Sequence, residues 1–203
     1  MRALYGIAVC GLLLAAPACS GSPPKARAAE RSAPRCPAAW RGGWQALADR
    51  IRAPVYCPRW MPQPIDAEIG GQWNNIDSVS RDRSYLIGFV WQETGNGSGE
   101  VHVNFRGYPG RSRVPRCPVS DTGKTRLIPC FADAHGRYRA NGITATLYTV
   151  NQGADTWHLL YAWRRGASLY TVSQHVAPPL TYRKVHADLQ RIVRSLVVVS
   201  PRG

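Results

Sequence analysis

Eight basic side chains lie between Asn104 and Arg139: Arg106, Arg111, Arg113, Arg116, Lys124, Arg126, Arg137 and Arg139. Only Asp121 and Asp133 oppose them, a local excess of six positive charges. Guanidinium groups at this density suit anions, because each presents a planar fork of N–H donors that can hold two oxygens of a phosphate or carboxylate. Arg106, Arg111, Arg113, Arg116, Lys124 and Arg126 are therefore the candidate anion-binding residues. The expected partner is an anionic phospholipid headgroup or a phosphorylated envelope polymer. Cys117 and Cys130 fall in the same stretch, where a bridge would brace a 14-residue loop. The whole-chain charge of +14 says less than this clustering. Of 26 basic residues 23 are Arg, and such a skew follows from GC-rich codon usage without any basic-ligand requirement.

Other chemistries find less support. His102, His158 and His175 all fall on expected strands and could converge on one sheet face, but strand histidines ordinarily cap a sheet surface. Neither C-x-x-C nor H-E-x-x-H occurs, so neither metal nor cofactor is expected. Asp66 and Glu68, two apart on a strand, would point the same way as a working carboxylate pair does, and also as a solvent-facing pair does. No Ser sits in a G-x-S-x-G elbow. Gly123, Lys124 and Thr125 spell the end of a P-loop, but Pro118 stands where its first Gly belongs. The glycines of TGNGSG (94–99) answer the positive-φ needs of a hairpin loop rather than a cofactor cradle.

The compartment is written at the front. Arg2, an apolar run from Ala8 to Leu14 and small residues up to Cys19 make a secretory leader. The run is too short for a transmembrane helix, which needs about 20 residues. Two processing sites compete. Ala16 and Ala18 satisfy an A-x-A cleavage site, whereas Cys19 directly after Ala18 resembles a bacterial lipobox, with Ala16 where Leu, Val or Ile is usual. The lipobox resemblance implies loss of residues 1–18 and a diacylglyceryl group, with palmitate-type chains, on Cys19. The protein would then sit on the outer face of the cell membrane; the A-x-A site would make it a plain secreted protein. Cysteine parity favours lipidation. Of six Cys, Cys10 leaves with the leader and Cys19 is acylated, so Cys36, Cys57, Cys117 and Cys130 remain to form two disulfides, with three pairings open. Residues 19–35, rich in Ser, Pro, Ala and Arg, read as a disordered tether spanning roughly 20–24 Å.

Residues 36–203 have the length of one domain. Trp40, Trp44, Leu47, Ala48 and Ile51 form an apolar stripe at i, i+4, i+7, i+8 and i+11, which predicts a helix ended by Pro54. A Cys36–Cys57 bridge would clamp that helix to the extended segment VYCPRWMPQP. The period then switches to two in IDAEIGGQW, SYLIGFVWQE, EVHVNFRG, ITATLYTVN, TWHLLYAWRR and SLYTVSQHV. Short connections imply that chain neighbours pair antiparallel. A closing helix carries Val185, Leu189, Ile192, Val193 and Leu196 behind a Thr181 N-cap. The expected class is α+β: an antiparallel sheet of about six strands in meander-like order, both helices on one face, and two disulfides.

The ending GASLYTVSQHV…LTYRKVHADLQRIVRSL is similar to the "G-x-x-Y-x-V … L-x-x-I-x-x-S-L" close of exported bacterial lipoproteins and sensor-like domains, including the lipoprotein-carrier and anti-sigma-regulator type. With its front end, the chain resembles exported actinobacterial lipoproteins, a resemblance that assigns no functional residue. The combined expectation is a lipid-anchored envelope protein whose non-enzymatic domain binds an envelope partner, anionic lipid or polymer. Nucleic acid is not an expected partner outside the cell. A cell-surface hydrolase built on a His and carboxylate pocket is the alternative, and a structural spacer the third reading.

Overall fold

The apolar stripe of the first helix sets the core. In the computed structural model, which describes residues 35–63, 73–74, 79–92, 100–121, 123–150 and 157–203, helix α1 spans Ala38–Ile51. Its buried residues are the five of the predicted stripe: Trp40, Trp44, Leu47, Ala48 and Ile51. The helix stops two residues before Pro54, where Arg52 takes up the left-handed conformation (φ 50°) and its backbone N–H returns to Ala48 and Asp49. Helix α2 (Tyr182–Ser195) begins at the expected N-cap, with the Thr181 hydroxyl accepting from the Lys184 N–H at 3.3 Å. Val185, Leu189, Ile192 and Val193 are its buried apolar residues.

Both helices lie over one face of an antiparallel sheet. Six strands of seven to nine residues build it: β3 (Tyr85–Gln92), β4 (Glu100–Tyr108), β7 (Ala134–Ala140), β8 (Ile143–Val150), β9 (His158–Arg165) and β10 (Ser168–His175). A two-residue strand, β2 (Trp73–Asn74), extends one edge, so the order is β2-β3-β4-β10-β9-β8-β7. The meander expectation holds for every pair except one: β4 pairs not with the next strand in sequence but with β10. Period-two alternation then sorts the side chains. Ile87, Phe89, Val103, Phe105, Leu159, Tyr161, Trp163, Tyr170 and Val172 face the helices and share one buried cluster with them. Edge-on aromatic contacts, Trp40 with Phe89 and Trp44 with Phe105, fit α1 to β3 and β4.

Two smaller ribbons complete the domain. β1 (Val55–Cys57) pairs antiparallel with β11 (Val197–Val199), tying the segment after α1 to the segment after α2. Cys36 and Cys57 are bridged, with Cα atoms 5.7 Å apart, which clamps α1 to β1 as the sequence allowed. Beyond β11 the backbone N–H and guanidinium of Arg202 grip Asp49 of α1, and these bonds hold the Asp49 carboxyl at about 2, from its ordinary 3.8. The second ribbon is a correction to the expected loop. The stretch bridged by Cys117 and Cys130 forms a hairpin, β5 (Arg116–Asp121) and β6 (Lys124–Pro129); of the Gly-Lys-Thr triplet, Gly123 (φ 77°) precedes β6 and Lys124 and Thr125 open it. The leader (1–18), Cys19, nearly all of the 19–35 tether, the Asp66/Glu68 pair and the TGNGSG loop lie outside the described residues.

One glycine fixes how β4 leaves the sheet. Gly107 stands opposite Tyr85, and a methyl group there would overlap the buried Tyr85 ring. Ring and glycine therefore interlock, and the strand reaches Tyr108 without displacement. Gly107→Ala is expected to destabilise the domain by about 1–3 kcal/mol through overpacking. Equilibrium urea unfolding measures this, and an unchanged midpoint would contradict the interlock.

Candidate functional site

The face of the sheet turned away from the helices carries the candidate chemistry. Along β4 it presents His102, Asn104 and Arg106, as the alternation predicted, and along β10 it presents Thr171, Ser173 and His175. Part of this face is covered by the segment joining β4 to β7, which packs Phe131, with Cys130 and Val114, on Leu160, Ala162 and Leu169. This segment carries most of the basic residues singled out in the sequence.

Three of the six candidates come together. After β4 the chain turns at Gly110 (φ 71°), with the Arg111 N–H donating to Tyr108 O at 3.1 Å and the Gly110 N–H to Ser168 Oγ at 3.1 Å. From that turn to Arg116 the backbone wraps a concavity of about 470 Å³ lined by Tyr108, Gly110, Arg111, Ser112, Arg113, Val114, Pro115 and Arg116. Arg111, Arg113 and Arg116 are all exposed on it. Two are held in place. Arg111 pairs with Asp82 at 2.5 Å, and Arg116 donates to the Leu127 carbonyl of the facing strand. The Asp82 carboxyl is held below its ordinary range by the hydroxyl and N–H of Ser84 and then by Arg111, so this anchor stays ionised.

The other three do not join them. Arg106 is half-buried on the sheet face itself. Lys124 and Arg126 lie on the opposite side of the hairpin from Arg116. Cross-strand pairing sets Arg116 with Pro129, and Pro118 with Leu127, on one face, while Cys117 with Ile128 and Val119 with Arg126 occupy the other. A charge cluster continuous in sequence is thus split by a two-residue period. Arg137 and Arg139 belong to the edge strand β7, where basic side chains discourage edge-to-edge pairing.

Sequence reasoning passed over Arg164. Its Nε donates to the Ser112 carbonyl at 2.9 Å, pinning the concave segment to the end of β9. The Arg164-Arg165 pair closing a strand was its only signal. The Cys117–Cys130 bridge, with Cα atoms 4.9 Å apart, and the Cys130 N–H to Pro115 O bond at 2.9 Å close the base of the hairpin next to the lining.

The three strand histidines do converge. Ring centroids are 4.5 Å apart for His102 and His158, 5.0 Å for His102 and His175, and 5.2 Å for His158 and His175. They do so at the other end of β4, six residues or roughly 20 Å along the strand from Tyr108. No protein-family model, curated protein or solved structure matches the chain. Any functional reading therefore rests on these side chains.

The bridge at the base of the hairpin should govern the order of the hairpin that adjoins the concave lining at Arg116. Closing a loop of this length contributes about 3 kcal/mol in the chain-entropy picture. The double variant C117S/C130S is expected to lose more than tenfold amide protection across residues 116–129 while β8–β10 keep theirs. Hydrogen exchange read by NMR measures both, and unchanged protection in the hairpin would show that strand pairing alone orders it.

Proposed function

We propose that this is an exported protein, anchored through lipidated Cys19, whose domain binds phosphate-bearing headgroups of anionic envelope lipids. The observation that carries this reading is the concavity in which Arg111, Arg113 and Arg116 face one volume. A guanidinium fork matches two phosphate oxygens, and a pre-braced backbone lowers the ordering cost of binding. Leu127, 54% exposed on the same hairpin face as Arg116, adds an apolar contact of the kind that enters a headgroup layer. The tether read from residues 19–35 would keep the domain within reach of that layer. Exported lipoproteins of actinobacterial type, which the chain resembles at its two ends, are the class this reading fits.

Binding is tested with the chain carrying Cys19→Ser, so that no acyl group contributes, and vesicles of phosphatidylglycerol and phosphatidylcholine. Each basic residue near an anionic surface contributes about 1 kcal/mol. The triple variant R111Q/R113Q/R116Q is then expected to bind on the order of a hundredfold more weakly at low salt, and K124Q/R126Q distinctly less so. Equal losses from both variants, or none from the first, would contradict a site in the concavity. Intact-mass measurement of the native protein tests the anchor separately: acyl mass on Cys19 is the expected result.

A further inference from the structure

The geometry points to a second site: we propose that His102, His175 and His158 bind one divalent transition-metal ion of the Zn²⁺ type. The three imidazoles come from three adjacent strands at one level. His175 of β10 stands directly opposite His158 of β9. The β4–β10 register, which pairs Gln174 with Val103, brings His102 to the other side of His175. All three side chains project from the face opposite the helices. Histidines spaced at arbitrary points along three strands would share neither level nor face.

Ring positions carry the argument further than the register does. β4 and β9 are separated by β10, so in a flat row the His102 and His158 rings would stand about 10 Å apart. Their centroids are instead 4.5 Å apart, the shortest of the three separations. The outer two rings lean inward over the middle strand, and the three form a closed triangle with sides of 4.5, 5.0 and 5.2 Å. Three imidazoles bound to one tetrahedral ion through metal–nitrogen bonds of about 2.0–2.1 Å place their centroids roughly 5 Å from one another. The triangle already has the size that such a site requires.

The rings are gathered but not aimed. Among the described residues no set of His, Cys, Asp or Glu stands in ligating geometry, and the planes of His158 and His175 are within 22° of parallel. Ligation therefore requires rotation of the imidazoles about their own side-chain bonds, with the strands left where they are. His158 is 1% exposed, so most of its shell is protein. The next row on the same face holds Asn104 and Ser173, both buried and polar, suitable for orienting ligand rings. Arg106 lies a further row away, about 13 Å from the His102 level. Three neutral imidazoles suit Zn²⁺, Co²⁺ or Ni²⁺ over Mg²⁺ or Ca²⁺, and a tetrahedral ion held by three protein ligands keeps a fourth position open.

The test uses the full chain with Cys10→Ser and Cys19→Ser, so that no free thiol competes, and Zn²⁺ as the probe. Calorimetric titration at neutral pH is expected to show one ion per chain, with no comparable uptake of Mg²⁺. In the imidazole region of the NMR spectrum, signals of His102, His158 and His175 should shift in step with the first equivalent while those of His135 and His186 stay. H102Q, H158Q and H175Q should each weaken binding by at least about tenfold, since loss even of an outer-shell partner costs that much, and H135Q should not. Binding should also weaken on acidification, because protons compete with the ion for the imidazole nitrogens. Absence of a saturable single equivalent in the parent chain, or shifts distributed over all five histidines, would overturn the site. The parent-chain spectra decide the matter even if one of the variants fails to fold.

Discussion

The pairing of β4 with β10 is the contact on which the rest depends. It joins the β2–β4 run to the β7–β10 run, and it is the one ladder in the large sheet between strands that do not follow each other along the chain. Its register sets Phe105 opposite Val172 and Asn104 opposite Ser173. The first pair belongs to the core beneath the helices, the second to the opposite face. A slip of β4 by one residue against β10 would exchange the faces of β4, moving His102 and Asn104 toward the apolar cluster and Val103 and Phe105 out of it. Burial of α1 and α2 on one side of the sheet therefore fixes which side chains are left for chemistry on the other.

On that other face two kinds of site occupy opposite ends. At the Tyr108 end, charge is organised by backbone: a turn at Gly110, a carbonyl pinned by Arg164 and a cystine at the hairpin base hold three arginines around one concavity. At the His102 end, three imidazole rings are gathered by strand register. The separation is electrostatically sensible. A cation site would be weakened beside a cluster of guanidinium groups, and six residues of strand, roughly 20 Å, separate the two. The basic residues clustered between Arg111 and Arg139 divide accordingly among an arginine-lined concavity, a hairpin face and an edge strand.

Much of the fold was legible in the residues because the signal was local. The Trp40-to-Ile51 stripe and the Val185-to-Leu196 stripe became α1 and α2, and five of the six alternating runs became β3, β4, β8, β9 and β10, the run IDAEIGGQW lying outside the described residues except for Trp73. The strands that escaped, β5 excepted, are short or have side chains not sorted into a wet and a dry face. β6 and β7 are exposed along nearly their whole length, so polarity gave them no period, and β11 has only three residues. A turn signal was nonetheless present for β7. Asn141-Gly142, both at positive φ, closes the hairpin to β8 in the manner this dipeptide favours. The site was legible in parts. Arg111, Arg113 and Arg116 were named from clustering, but their separation from Lys124 and Arg126 needed the hairpin register. His102, His158 and His175 were placed on strands of one face, yet their meeting depends on a pairing between residues some seventy positions apart, which no local pattern encodes.

Cross-strand nuclear Overhauser effects between β4 and β10 test this account most directly. The prediction is a set of contacts joining Phe105 to Val172, Asn104 to Ser173 and Val103 to Gln174, with these amides among the slowest to exchange. Contacts from β4 to β7 or β8 in their place would contradict it. The residues left on the face away from the helices would then have to be assigned anew.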